Sequence, residues 1–155
     1  MKVVEGVVEI KDVRDFLSKL PCEATFINAE YVLDKEVVEF AAKKAKKAWE
    51  EGRRVARNFS TEILLYVAAT RQIRDAVKIG LKEGRNEVVV VAEENCIEKL
   101  KKLGFKEENV LKIDEEKVEK VMKLYGIEEK EVEIVGKEKL PLLIRERIVL
   151  FDLSK

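Results

Sequence analysis

Histidine is absent from this 155-residue chain, and its absence removes much of the usual catalytic machinery at once. No Ser–His or Cys–His couple can form. The two cysteines, Cys22 and Cys96, lie far apart with no CxxC neighbour. A zinc site of the common Cys/His kind therefore cannot be assembled within one chain, and no metal is expected. Both cysteines read as small buried hydrophobes. The seven glycines are scattered, with no GxGxxG, no Walker-type GxxxxGK and no GxSxG. Neither a phosphate-cradling loop nor a nucleophile elbow is present, and no cofactor is expected. No apolar run reaches the roughly 18 residues of a membrane span. Residues 1–10 carry Glu5 and Glu9 inside an apolar run, so they read as a strand and not as a signal peptide. A cytoplasmic, membrane-free protein is expected. There is a single glutamine, Gln72, against 31 Lys/Arg and 31 Asp/Glu dominated by Lys and Glu; that bias is typical of hyperthermophile proteins.

What remains is a well-patterned chain, 46% hydrophobic and 40% charged. This is enough apolar material for one domain with a single core. The net charge is zero but unevenly spread: residues 43–85 carry +7, while residues 1–42 carry −4 and residues 86–155 carry −3. A basic middle in a neutral chain is a local feature. Residues 2–10 and 22–28 predict strands, and Asp12 can cap a short helix that Pro21 terminates. Asp34 can cap a long helix over 35–51, with Val37, Val38, Ala41, Ala42, Ala45, Ala48 and Trp49 at helical spacing. Asn58 or Ser60 can cap a helix whose run 63–69 is apolar on every side, as in a buried central helix. Residues 73–81 resume helical spacing. The continuous run 88–92 predicts a strand central in the sheet. Helices are expected near 94–103, 114–125 and 138–150, and short strands at 110–113 and 131–135. With no repeat and no linker, the expectation is a single α/β (α+β) domain: a small mixed, largely antiparallel sheet covered by helices.

Most carboxylates sit in Lys/Glu-rich helical stretches and read as solvated faces. Glu62 flanks the buried helix; it could serve as a general acid or base, and a first-turn carboxylate favoured by the helix dipole accounts for it more simply. The stretch 53–74, RRVARNFSTEILLYVAATRQIR, is distinctive. Arg53, Arg54 and Arg57 precede the buried helix, and Arg71 and Arg74 follow it. Guanidinium groups make forked contacts to phosphate and stack on bases, which ammonium groups do not. Asn58, Thr70 and Gln72 add groups of the type that meet base edges or sugar hydroxyls. An RNA or phosphate site and an ordinary arginine-rich rim both fit these residues. Ile73 and Val77, one turn apart, form an apolar stripe. The stripe either packs into the domain's own core or stays exposed for a partner.

Residues 56–73, ARN…TEILLYVAATRQI, resemble the signature of the PRPK-binding protein family of KEOPS subunits (TPRKB and its archaeal relatives). Asn28-Ala29, Tyr31-Val32, the Ala/Lys-rich helix ending at Trp49, the strand 88–92 and a C-terminal helix ending Leu150-Phe151-Asp152-Leu153 fit the same pattern. Two positions depart from it. Ala69 stands where the family usually has glycine, whose backbone freedom could serve a close approach. Phe59 stands where a proline often follows the asparagine.

The resemblance implies a non-catalytic accessory subunit of the complex that makes threonylcarbamoyladenosine in tRNA. It implies docking on, and stimulation of, a kinase-like ATPase subunit, and recruitment of tRNA through its single-stranded CCA end. The arginine-rich stretch agrees with the second role, because single strands are held by basic grooves with stacking and edge contacts. The expected tRNA-binding residues are Arg53, Arg54, Arg57, Asn58, Thr70, Arg71 and Gln72, and the partner-binding residues are Ile73 and Val77. The alternatives are a small carboxylate-based hydrolase or transferase near Glu62, and a purely structural adaptor without RNA contact.

Overall fold

β1 (Lys2–Ile10) and β3 (Gly84–Ala92) pair antiparallel along their whole lengths, Lys2 opposite Ala92 and Ile10 opposite Gly84. β2 (Ala24–Asn28) pairs antiparallel with the other side of β3, and β4 (Lys106–Glu107) with β1, giving the order β2-β3-β1-β4. The computed structural model describes all 155 residues. The apolar run in β3 is an inner strand, as its sequence predicts, and Val88 to Val91 are all buried. The expected small, largely antiparallel sheet covered by helices is found, and each of its three pairings is antiparallel. β4 is two residues long, too short to leave a periodic signal. A side chain at Gly6 would strike the Lys106 carbonyl and the Phe105 ring, so β1 needs a glycine where β4 approaches.

Both faces of the sheet are covered. On one face, Ile27, Val89 and Val91 join the larger core with α2 (Lys35–Glu50), α3 (Phe59–Ala68), α6 (Glu115–Tyr125) and α8 (Leu140–Ser154). The buried face of α2 is Val37, Val38, Ala41, Ala42, Ala45 and Ala48; its alanines let α3 lie close against it. On the other face, Phe26, Val88 and Val90 meet Cys96, Ile97 and Leu100 of α5 (Glu94–Lys102), with Phe16 of α1 (Val13–Ser18) packed alongside. Each large side chain buried this way contributes about 1.5–3 kcal/mol before entropy is counted.

The caps expected at Asp12, Asp34 and Asn58 are all made. Their side chains accept from Asp15, Val37 and Thr61 backbone N–H groups at 2.9, 2.8 and 2.9 Å. Pro141 sits in the first turn of α8, where its missing N–H costs nothing.

Four expectations are corrected. The cysteines are not free: Cys22 and Cys96 form a disulfide across 74 residues of sequence. Residues 110–113 are not a strand, because Val110 and Leu111 donate their N–H groups to the Glu5 carboxylate at 2.7 and 3.3 Å. Residues 131–135 lie in a helix, α7 (Glu129–Val135). There, Glu131 folds back to accept from the Glu128 N–H at 3.3 Å, a local cap that outweighs the β-branched alternation. Finally, the helix after the arginine-rich stretch, α4 (Ile73–Val77), ends four residues short of position 81. The Ile79 carbonyl accepts instead from the Asn28 N–H at 2.7 Å.

Candidate docking groove and nucleic-acid face

α3 organises the arginine-rich stretch, and it does so by separating it. Arg53, Arg54, Arg57 and Asn58 lie at its N-terminal end, while Thr70, Arg71 and Gln72 follow its C-terminal end. At 1.5 Å per residue the ten-residue helix holds the two groups about 15 Å apart. They are not one patch.

At the N-terminal end a buried polar network fixes the connection from α2. The fully buried Glu62 carboxylate accepts from the Val55 N–H at 3.0 Å and the Ala56 N–H at 2.7 Å, and pairs with Lys155 Nζ at 3.2 Å. Lys155 also donates to the Arg53 carbonyl and lies over the Tyr66 ring, 4.6 Å from its centroid. The Tyr66 hydroxyl donates to Asp152, which Arg53 also reaches at 3.4 Å. Burial, and then the bond to Asp152, push the Tyr66 phenol well above its ordinary value. The Glu62 carboxylate is thus enclosed and occupied by two backbone donors and a lysine. Its place is explained by this clamp more specifically than by the helix dipole.

The candidate side chains differ in how free they are. Arg53 is engaged by Glu51 at 2.9 Å as well as by Asp152, and the bond to Glu51 holds its guanidinium pKa above the ordinary value. Arg54 lies over the Trp49 ring, 4.4 Å from its centroid. Arg57 and Arg71 are exposed and enter no salt bridge. Asn58 is committed to its cap, accepting from Thr61 and from Ser60 Oγ. The Thr70 hydroxyl accepts from the Gln72 N–H at 3.1 Å, and the Gln72 side chain makes no cap bond.

Ala69 ends α3 in the left-handed conformation, φ 52° and ψ 45°, and is the one non-glycine residue with positive φ. A glycine at this position is therefore favoured by the left-handed cap itself, where a Cβ is costly. That is a different reason from the close approach anticipated in the sequence.

Ile73 and Val77 do not enter the core: they are 50% and 55% exposed, while Ala76 and Ile79 are buried. They line an open, mainly apolar groove of about 650 Å³. Leu17 of α1, itself 48% exposed, lines the groove as well, with Leu64, Leu81 and the disulfide-bonded Cys22. Asn58, Ser60 and Thr61 lie along it too, so the groove reaches the N-terminal arginine group. Sequence reasoning missed Leu17. It sits beside Phe16, whose ring packs at 5.6 Å against Phe26, and nothing in a six-residue helix distinguishes the residue facing in from the one facing out. No three His, Cys, Asp or Glu side chains are grouped to hold a metal ion, and no helix is long and apolar enough to cross a membrane.

Comparison with known proteins gives two findings. A family model described as kinase binding protein CGI-121 matches residues 4–151. A KEOPS complex subunit Cgi121 from Pyrococcus abyssi is 37% identical over 90 residues, covering 55% of this chain and 53% of that protein. The match thus spans about half the length of that relative.

Proposed function

The chain belongs to the CGI-121 family of kinase binding proteins, and from that premise we propose that it is a non-catalytic accessory subunit of a KEOPS complex. In this reading it docks on and stimulates the kinase-like ATPase subunit, and it recruits tRNA through the single-stranded CCA end. The observation that carries the docking is the exposed pair Ile73 and Val77 on the wall of an apolar groove. Apolar anchors of this kind supply most of the energy of an interface once they are desolvated. The unpaired guanidinium groups of Arg57 and Arg71 support the RNA contact, with Arg53, Arg54, Asn58, Thr70 and Gln72 around them. Because the two groups lie about 15 Å apart, they would hold separate parts of one strand. A cytoplasmic setting is compatible with the disulfide, since intracellular proteins of hyperthermophiles are often disulfide-rich.

Ile73→Glu tests the docking. The substituted chain is expected to keep its circular dichroism spectrum and to lose co-purification with the kinase-like subunit. A folded variant that still pairs would place the partner surface elsewhere. An adaptor without RNA contact is the second reading, favoured by the engagement of Arg53 with Glu51 and Asp152. Titration of the full chain with tRNA separates the two, because the adaptor binds none.

A further inference from the structure

Arg54 is an exposed arginine fixed by its backbone neighbours and by one aromatic ring. Its backbone lies between two fixed points: the Arg53 carbonyl accepts from Lys155, whose side chain is buried, and the Val55 N–H donates to buried Glu62 at 3.0 Å. Its guanidinium rests over the Trp49 ring at 4.4 Å. Trp49, in the last turn of α2, is itself wedged against Phe59, the first residue of α3, with ring centroids 5.8 Å apart. No carboxylate competes for Arg54, in contrast to Arg53 one residue earlier. Arg54 is at the same time exposed to solvent, and guanidinium groups are surfaces on which unpaired bases stack. Arg57, exposed and free of ion pairs, stands three residues on to meet a phosphate.

We propose that Arg54, held over Trp49, is a stacking platform for one unpaired nucleobase of a single-stranded RNA. The proposal rests on the RNA-binding reading above and adds to it a base-recognising residue. Trp49 acts through Arg54 and is a positioning residue. An arginine free in solvent would have to be ordered when the base arrives; here the indole and the clamped backbone have already ordered it. Stacking reads no particular base, because every base has a flat face. The platform therefore selects unpaired strand over duplex, and not one sequence over another.

Trp49 is the only tryptophan in the chain, so its fluorescence reports directly on the platform. The probes are a short single-stranded RNA ending in CCA and an abasic strand of the same length. The full chain is expected to bind the RNA with a change in Trp49 emission, and to bind the abasic strand about fivefold to a hundredfold more weakly, the span of base-stacking effects. Arg54→Lys keeps the charge on an exposed position. It is expected to weaken RNA binding within that same range while leaving the salt dependence of binding unchanged. Trp49→Leu is expected to weaken RNA likewise and Trp49→Phe to restore part of the loss, with circular dichroism checking both folds. If the unaltered chain binds RNA and the abasic strand equally, with silent emission, or if Arg54→Lys binds RNA as well as the unaltered chain, the platform is overturned while phosphate-based RNA binding stands. If the unaltered chain binds neither strand, the RNA reading itself fails and the platform falls with it.

Discussion

At its N-terminal end α3 is anchored from three directions. Asn58 caps it, Glu62 grips the backbone of the preceding connection, and Lys155 brings the last turn of α8 onto both. At its C-terminal end the same helix stops on a left-handed alanine. Beyond that point stand an unpaired arginine, Arg71, and two half-exposed apolar side chains, Ile73 and Val77. The first end fixes its backbone with a buried clamp and leaves Arg54 and Arg57 exposed without ion pairs. The second leaves apolar surface and one charge without a partner within the chain. The buried clamp and the exposed apolar pair thus lie at different ends of one ten-residue helix.

The contrast can be broken most severely at Glu62. Glu62→Gln leaves Lys155 buried without its counter-charge, and the loss should be about 3–5 kcal/mol, as for other broken buried pairs. Arg71→Glu, on the exposed side, should change stability by less than about 0.5 kcal/mol. Denaturant midpoints of the two variants measure the difference, and similar midpoints would show that the clamp contributes nothing special.

The disulfide is the next largest effect, because it fastens the groove wall from outside α3. Closing a loop of this length is worth about 4 kcal/mol in the chain-entropy picture. Cys96→Ser should therefore lower the thermal midpoint, and a strong thiol reductant should lower that of the unaltered chain in the same direction. A chain whose midpoint ignores reductant would remove the disulfide from the account.

RNA affinity sharpens the comparison further. Arg57→Glu and Arg71→Glu should each weaken tRNA binding, and each lost phosphate contact should lower the log–log salt slope by roughly 0.7 for single-stranded RNA. An unchanged slope would make that arginine a bystander. The smallest effect is expected at the strained cap. Ala69→Gly relieves a left-handed alanine and should stabilise the chain by about 1 kcal/mol, read as a raised denaturant midpoint.

Much of this architecture could be read from the chain because its signals are local. The unbroken apolar run 88–92 marks an inner strand, and Asp12, Asp34 and Asn58 mark helix starts that their side chains do cap. What escaped depends on register. Cys22 lies two residues before Ala24 and Cys96 four after Ala92, and these alanines are opposite each other in the β2–β3 pairing. Without that pairing nothing brings the two sulfurs together. Residues 131–135 alternate like a strand, yet one side-chain cap turns them into a helix that leaves Ile134 84% exposed. In the candidate site, the arginines are close in sequence, and the rigid helix between them makes two groups of one. The sequence left Ile73 and Val77 open between core and surface. Both are half-exposed on α4, which ends at Val77 and so falls short of the periodicity over 73–81.

The division of labour along α3 is tested most directly by crossing two substitutions with two ligands. Ile73→Glu and Arg57→Glu are each titrated with the kinase-like subunit and with tRNA, after circular dichroism confirms their folds. The account predicts that Ile73→Glu loses the protein partner and keeps tRNA, while Arg57→Glu loses tRNA affinity and keeps the partner. A folded variant in which either single substitution abolishes both interactions would contradict it.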